Sequence, residues 1–161
     1  MIHNLSLVHV LLAVAAMACI YLVVRELRRT YVSEWRLFAP GIAALFVAAG
    51  MFLIQIAAAQ PRWTFAAAAV IGLLIGGIRA TMIGLQHDLY RPVMIISRPA
   101  KLTLLAVALG VGLCAALEII GAYESPAIEK VRFWAALSAM VCAMAMLARA
   151  LVLTIRLRTH S

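Results

Sequence analysis

Charge is scarce in this chain, and the scarcity limits the class of protein that it can be. Of its 161 residues, 12% are charged and only six are acidic, whereas about 25% of residues in soluble domains are charged. No polar stretch is long enough to form a soluble domain. Disordered chains are rich in charge and disulfide-stapled secreted modules are rich in cysteine. The low charge and the three cysteines therefore exclude both classes.

Familiar catalytic motifs are missing as well. The sequence has no GxSxG, HExxH, P-loop or GxGxxG pattern and no CxxC pair. What it has instead is apolar side chains, which make up 66% of the residues against about 45–50% in soluble domains. The composition indicates an integral membrane protein and, without a catalytic motif, favours a non-enzymatic one.

The apolar residues form five long runs. A helix needs about 20 mostly apolar residues to cross a bilayer, and five such runs fit the chain with short loops between them. The pattern predicts an all-α fold, a single-domain polytopic membrane helix bundle over residues 1–161. The spans are expected at about 5–24, 37–59, 64–85, 102–122 and 133–153, with Pro40 in the first turn of the second span.

The basic residues predict the orientation. Lysine and arginine accumulate in cytoplasmic loops. An N-out, C-in topology puts three basic residues outside, namely Arg62, Lys130 and Arg132, and the other 11 of the 14 inside. This split predicts a multi-pass protein of the bacterial cytoplasmic (inner) membrane, with the first span retained because no basic residue precedes it. Cleavage of that span as a signal peptide is the alternative.

The net charge of +8 follows mostly from this asymmetry and does not indicate a nucleic-acid partner. Membrane lipids are the expected partners, because basic residues near the cytoplasmic surface attract anionic headgroups. The residues expected to make such contacts are Arg25, Arg28, Arg29, Arg91 and Arg98. Topology alone is the simpler explanation of the same charges.

Small residues predict how the helices pack. Gly72 and Gly76 form a GxxxG pattern in the third span, which lets two helix backbones approach closely. Packing within one chain is favoured, because the neighbouring spans also carry small residues. Association with another membrane protein or with a second copy of the chain is the alternative.

The segment 86–101 is the most individual part of the sequence. Val93 to Ile96 is a short β-prone run between two prolines. It is expected to form either half of a small interfacial hairpin, with Thr81 to Leu85 as the other half, or a plain amphipathic linker. The hairpin would shorten the third span and explain why Arg79 interrupts it.

Four polar residues are candidates for function: Glu118, His87, Asp88 and Arg79. Glu118 is the only acid inside a predicted span; it is expected either to pair with Arg62, Lys130 or Arg132 or to act as a proton- or substrate-binding carboxylate. His87 and Asp88 suit a proton or metal role, against the alternative of a solvated loop. Arg79 and Arg149 lie near the predicted cytoplasmic edge, where their side chains can reach the surface. His9 and His87 are too far apart to share a haem or metal, and His3 with His9 would lack a third ligand, so no cofactor is expected.

Local sequence features suggest a family. They are Phe38-Ala39-Pro40-Gly41, the stretch from Gly72 to Arg79 with the following loop through Arg98-Pro99, Phe133-Trp134, and Arg149. In these features, and in size and span order, the chain resembles the CcdC-like membrane proteins, which are associated with cytochrome c biogenesis genes. The resemblance implies an accessory role and assigns no catalytic residue. The lack of a cysteine pair departs from what a thiol-transfer role would require.

The function expected from the sequence is therefore that of a non-enzymatic accessory, scaffold or assembly factor. One alternative is a small oligomeric transporter or lipid-handling protein with Glu118 at its mouth. Another is a membrane enzyme that uses His87 and Asp88 on a lipid headgroup.

Overall fold

Five helices of 20 residues or more form most of the part of the chain that the structure describes, and all five are long and apolar enough to cross a membrane. The computed structural model describes residues 7–28, 34–87, 94–122 and 129–159. The helices are α1 (Leu7–Leu27), α2 (Glu34–Ala57), α3 (Arg62–Thr81), α4 (Arg98–Gly121) and α5 (Glu129–Thr159). The prediction of an all-α, multi-pass membrane helix bundle is confirmed.

The helices differ from the predicted spans mainly at their ends. Most of them continue into the polar residues that flank each apolar run, because a helix satisfies its backbone groups internally wherever it stands. α5 is the clearest case: its 31 residues extend over about 46 Å at about 1.5 Å per residue, well beyond a hydrocarbon core of about 30 Å. α3 is the exception, because it ends four residues before the predicted Leu85.

α5 is the central helix of the bundle. It packs against α2, α3 and α4, and α1 lies against α2 and α4 on the far side. Helices α1, α3 and α5 run in one direction, so their C-termini share one end of the bundle with the N-termini of α2 and α4. We call this the basic end, since it carries most of the arginines of the described helices, among them Arg36, Arg79, Arg98, Arg149 and Arg156.

Gly72 and Gly76 lie where α3 crosses α5. A Cβ added at Gly72 would stand 2.9 Å from the Met144 Cβ, and one added at Gly76 would stand 2.6 Å from the Ala145 Cα. Such distances leave no room for a side chain, so both glycines are needed for this close approach of two backbones. The intramolecular packing favoured by the sequence is the arrangement that the structure shows.

Pro40 lies deeper in its helix than expected. Because α2 begins at Glu34, Pro40 is its seventh residue and is fully buried. It therefore removes one backbone hydrogen bond from the helix interior, that to the carbonyl of Arg36. The prediction of a first-turn proline was wrong, since the helix continues through the polar residues that precede the apolar run.

A two-stranded hairpin follows α3. Strand β1 (Leu85–His87) pairs antiparallel with β2 (Met94–Ile96), and Leu85 faces Ile96 across the ladder. Of the two alternatives, the hairpin is the one present. Its first strand begins at Leu85, the residue at which the predicted first strand ends. Ile96 is buried against Leu37, Ala150 and Leu153, and this contact holds the hairpin against the basic end of the bundle.

Candidate functional site: a cleft between two helices at the basic end

A cleft opens between α3 and α4 at the basic end. Both helices pack against α5, and within the described residues they make little contact with each other. The space between them measures about 330 Å³, at the small end of the range of ligand pockets. Its walls are mostly apolar, and the polar or charged side chains that line it are those of Arg79, Ser97, Thr103 and Arg149.

Arg149 provides the buried charge of the cleft. Its position on α5 places it three residues after the buried Met146 and four before the buried Leu153, so it points inward and is only 9% exposed. The expectation that this arginine reaches the surface was wrong. Its Nε and Nη2 atoms have no hydrogen-bond partner among the described residues.

A carboxylate from α1 lies close to Arg149. Glu26 in the last turn of α1 places its Oε1 4.0 Å from the Arg149 Nη2, which is beyond hydrogen-bonding distance. Both carboxylate oxygens are buried without a hydrogen-bond partner in the described part of the chain. Lys101 of α4 is also buried and close enough to Glu26 to interact with it electrostatically.

Two more arginines, Arg79 and Arg156, lie at the end of α3, the helix that forms one wall of the cleft. Arg79 lines the cleft and is exposed, in agreement with its expected position near the edge. Arg156 of α5 donates hydrogen bonds from Nη1 to the carbonyl oxygens of Ala80, Thr81 and Ile83 at 2.9, 3.2 and 2.8 Å. It thereby satisfies the carbonyls that the end of α3 leaves open and fixes the wall of the cleft.

Glu118 lies at the opposite end of the bundle and takes no part in the cleft. It is fully buried, and its Oε1 accepts hydrogen bonds from Nε of Arg132, at 3.1 Å, and from Nη2 of the same residue. Of the partners considered from the sequence, Arg132 is the one paired with Glu118. The arginine is 23% exposed, so one side of this ion pair faces out.

The other predicted candidates belong to the hairpin, to the exposed surface of the basic end, or to residues outside the described part of the chain. His87 belongs to β1, whereas Asp88 falls outside the described part of the chain, as do Arg29 and Arg91. Arg25, Arg28 and Arg98 are exposed at the basic end, where contact with lipid headgroups stays a prediction. In the ranges that the structure describes, no group of three histidine, cysteine or acidic side chains could hold a metal ion.

The sequence did not predict the pairing of Glu26 with Arg149. Glu26 follows the run taken as the first span, and it was therefore counted outside the membrane although α1 includes it. A signal was present for Arg149, because it continues the helical face marked by the small residues Ala135, Ala139 and Ala143. That face is buried along its whole length.

Comparisons of the chain with known protein families, with characterised proteins and with solved structures find no match. The resemblance to the CcdC-like family therefore stays a prediction. The structure by itself defines the class: a multi-pass membrane protein with a charged, laterally placed cleft.

Proposed function

We propose that this protein is a lipid-handling membrane protein that holds one amphiphile in the cleft between α3 and α4. The sequence left this alternative open. The accessory role that the sequence favoured stays a prediction. The observation that carries the proposal is an apolar cleft between two membrane-spanning helices with a buried arginine at its inner wall.

The chemistry of the walls suits an amphiphile. Ile75, Leu104, Val107 and Met146 offer apolar surface for a hydrocarbon chain, and lipid packing against such surface costs no polar desolvation. A buried guanidinium in the same space is expensive unless a partner meets it. A molecule with a hydrocarbon chain and a polar head satisfies both surfaces at once.

The position of the cleft indicates which leaflet of the membrane supplies the lipid. The basic end is the one that lysine and arginine place in the cytoplasm, so we propose an N-out, C-in protein of the bacterial inner membrane that takes its lipid from the cytoplasmic leaflet. The cleft faces the side between two helices, so a lipid can enter it without leaving the membrane.

Native mass spectrometry of the protein in lipid nanodiscs tests the proposal. We expect the intact protein to retain one lipid after the bulk lipid is stripped. Val107→Trp, which fills the cleft, should lose that lipid. Val70→Trp is the matched control, because Val70 lies on the exposed face of α3 and should keep it. Equal lipid retention by both variants would overturn the proposal.

A further inference from the structure

We propose that the amphiphile held in the cleft is anionic and that its phosphate replaces Glu26 as the partner of Arg149. This inference rests on the proposed function and specifies the head of the ligand. Glu26 is then an internal competitor: it neutralises Arg149 while the cleft is empty and is displaced when a lipid phosphate binds.

The two arginine–carboxylate pairs among the described residues differ in whether the arginine and the carboxylate are hydrogen-bonded. Arg132 directs Nε and Nη2, the two donors on one side of its guanidinium, to Glu118 within hydrogen-bonding distance. The same two atoms of Arg149 have no hydrogen-bond partner among the described residues, because Glu26 stops 4.0 Å away. Arg149 therefore has a donor pair of the kind that binds carboxylates and phosphates in a bidentate manner. Both atoms are buried, so a phosphate reaches them only when the guanidinium turns from Glu26 into the cleft that Arg149 lines.

The charge balance around the cleft admits an anion. Arg79 and Arg149 line the cleft, and none of its described lining residues is acidic. Glu26 lies beside Arg149 and within electrostatic reach of Lys101. Among the described residues, the two arginines of the cleft with one nearby carboxylate leave a surplus of positive charge. A phosphate that takes Arg149 leaves Glu26 beside Lys101, so the displaced carboxylate keeps a cation nearby.

The ligand is a membrane lipid and not a free anion, because most of the cleft surface is apolar. Inorganic phosphate offers nothing to Leu104, Val107 or Met146. A phospholipid with a net negative head places its phosphate at Arg149 and its chain along these residues. A zwitterionic phospholipid carries a cationic group next to its phosphate, which the arginines repel.

Headgroup selectivity in nanodiscs is the test. The wild-type protein is placed in equimolar phosphatidylglycerol and phosphatidylcholine of identical chains, and the retained lipid is identified by native mass spectrometry. We expect phosphatidylglycerol to be preferred. Glu26→Gln should raise that preference about tenfold, the factor that about 1.4 kcal/mol gives, because it removes the competitor. Arg149→Gln should abolish the preference, and Arg149→Lys, which keeps the charge but lacks the paired donors, should weaken it.

Matched controls separate the possible failures. Arg36→Gln removes an exposed cation from the same end and should leave the preference unchanged, so an equal loss with this variant would show general surface attraction and overturn the inference. Loss of the lipid on addition of inorganic phosphate would assign the site to a free anion and also overturn the inference.

If lipid is retained without headgroup preference, or Glu26→Gln has no effect, the inference fails while the proposed function stands. If wild-type protein retains no lipid, the proposed function fails as well.

Discussion

The arginines of this protein differ in what their guanidinium groups contact. Arg132 forms an ion pair with two hydrogen bonds, Arg156 binds three backbone carbonyls, and Arg149 is buried with two donors unsatisfied in the described part of the chain. Arg25 and Arg98 are exposed. Counting basic residues by loop treats all of them alike, because the count depends on sequence position and not on the face of the helix from which each side chain projects.

Breaking the Glu118–Arg132 ion pair should affect stability asymmetrically. Arg132→Gln leaves a fully buried carboxylate without its partner, and such a loss costs about 3–5 kcal/mol for buried pairs. Glu118→Gln leaves an arginine that is partly exposed and can turn to the interface, so it should cost less. Thermal unfolding in nanodiscs measures both.

The double variant Glu118→Gln with Arg132→Gln is the control for that pair. It should recover part of the stability lost in Arg132→Gln, since no charge is then left buried. A larger loss in Glu118→Gln than in Arg132→Gln would contradict an ion pair with a structural role and favour a carboxylate that works as a charged binding group.

Arg156 should hold the end of α3 in place. Arg156→Gln removes the contacts of one guanidinium nitrogen with three carbonyl oxygens. That nitrogen carries two hydrogens, so the loss amounts to two full hydrogen bonds at most, each worth about 1.5–3 kcal/mol. We expect faster amide hydrogen exchange over residues 78–87, the end of α3 and strand β1. Arg25→Gln removes the same charge from an exposed position on α1 at the same end and should leave that exchange rate as in the wild type. Equal acceleration by both variants would speak against a specific cap.

At the scale of elements, the apolar runs predicted five helices and the GxxxG pattern predicted close packing of α3. The pattern did not predict which helix packs against α3, because a pair of small residues indicates only that some second helix approaches closely. Helix ends were predicted less well, as with Pro40, since hydropathy marks where the lipid ends and not where the helix ends.

The turn between α2 and α3 shows another limit. Ala59 has a φ of 59°, and hydrogen bonds from Ala59 N–H to Ile56 and from Gln60 N–H to Gln55 close the helix. This is the helix ending in which glycine is the usual left-handed residue. The sequence offers alanine there, so the glycine that usually marks such an ending is missing.

The glycines of α3 make the packing testable. Gly76→Ala places a methyl group against the backbone of Ala145, and Gly72→Ala places one against Val141 and Met144; overpacking of this kind costs about 1–3 kcal/mol. Gly77→Ala is the matched control, since no atom lies within 4 Å of its added Cβ. We expect both interface variants to unfold at lower temperature than Gly77→Ala, and equal unfolding temperatures would contradict the α3–α5 contact.

For the whole molecule, the distribution of basic residues predicts the membrane orientation. Ala58, in the turn between α2 and α3, and Met82, directly after α3, are both exposed. Single cysteines at these two positions, in a variant without the native cysteines, would report the orientation. An impermeant maleimide added to intact cells should label Ala58→Cys and leave Met82→Cys unlabelled. The reverse pattern would place the basic end and its cleft outside the cell.

The most direct test of the lipid-holding cleft is photo-crosslinking in the membrane with a phosphatidylglycerol that carries a diazirine in its acyl chain. Labelled residues are then located by peptide mass spectrometry. We predict labels concentrated on the cleft residues of α4 and α5, such as Leu104, Val107 and Met146, which Val107→Trp removes. Labels spread evenly over the exposed faces of all five helices, unchanged by Val107→Trp, would contradict the account.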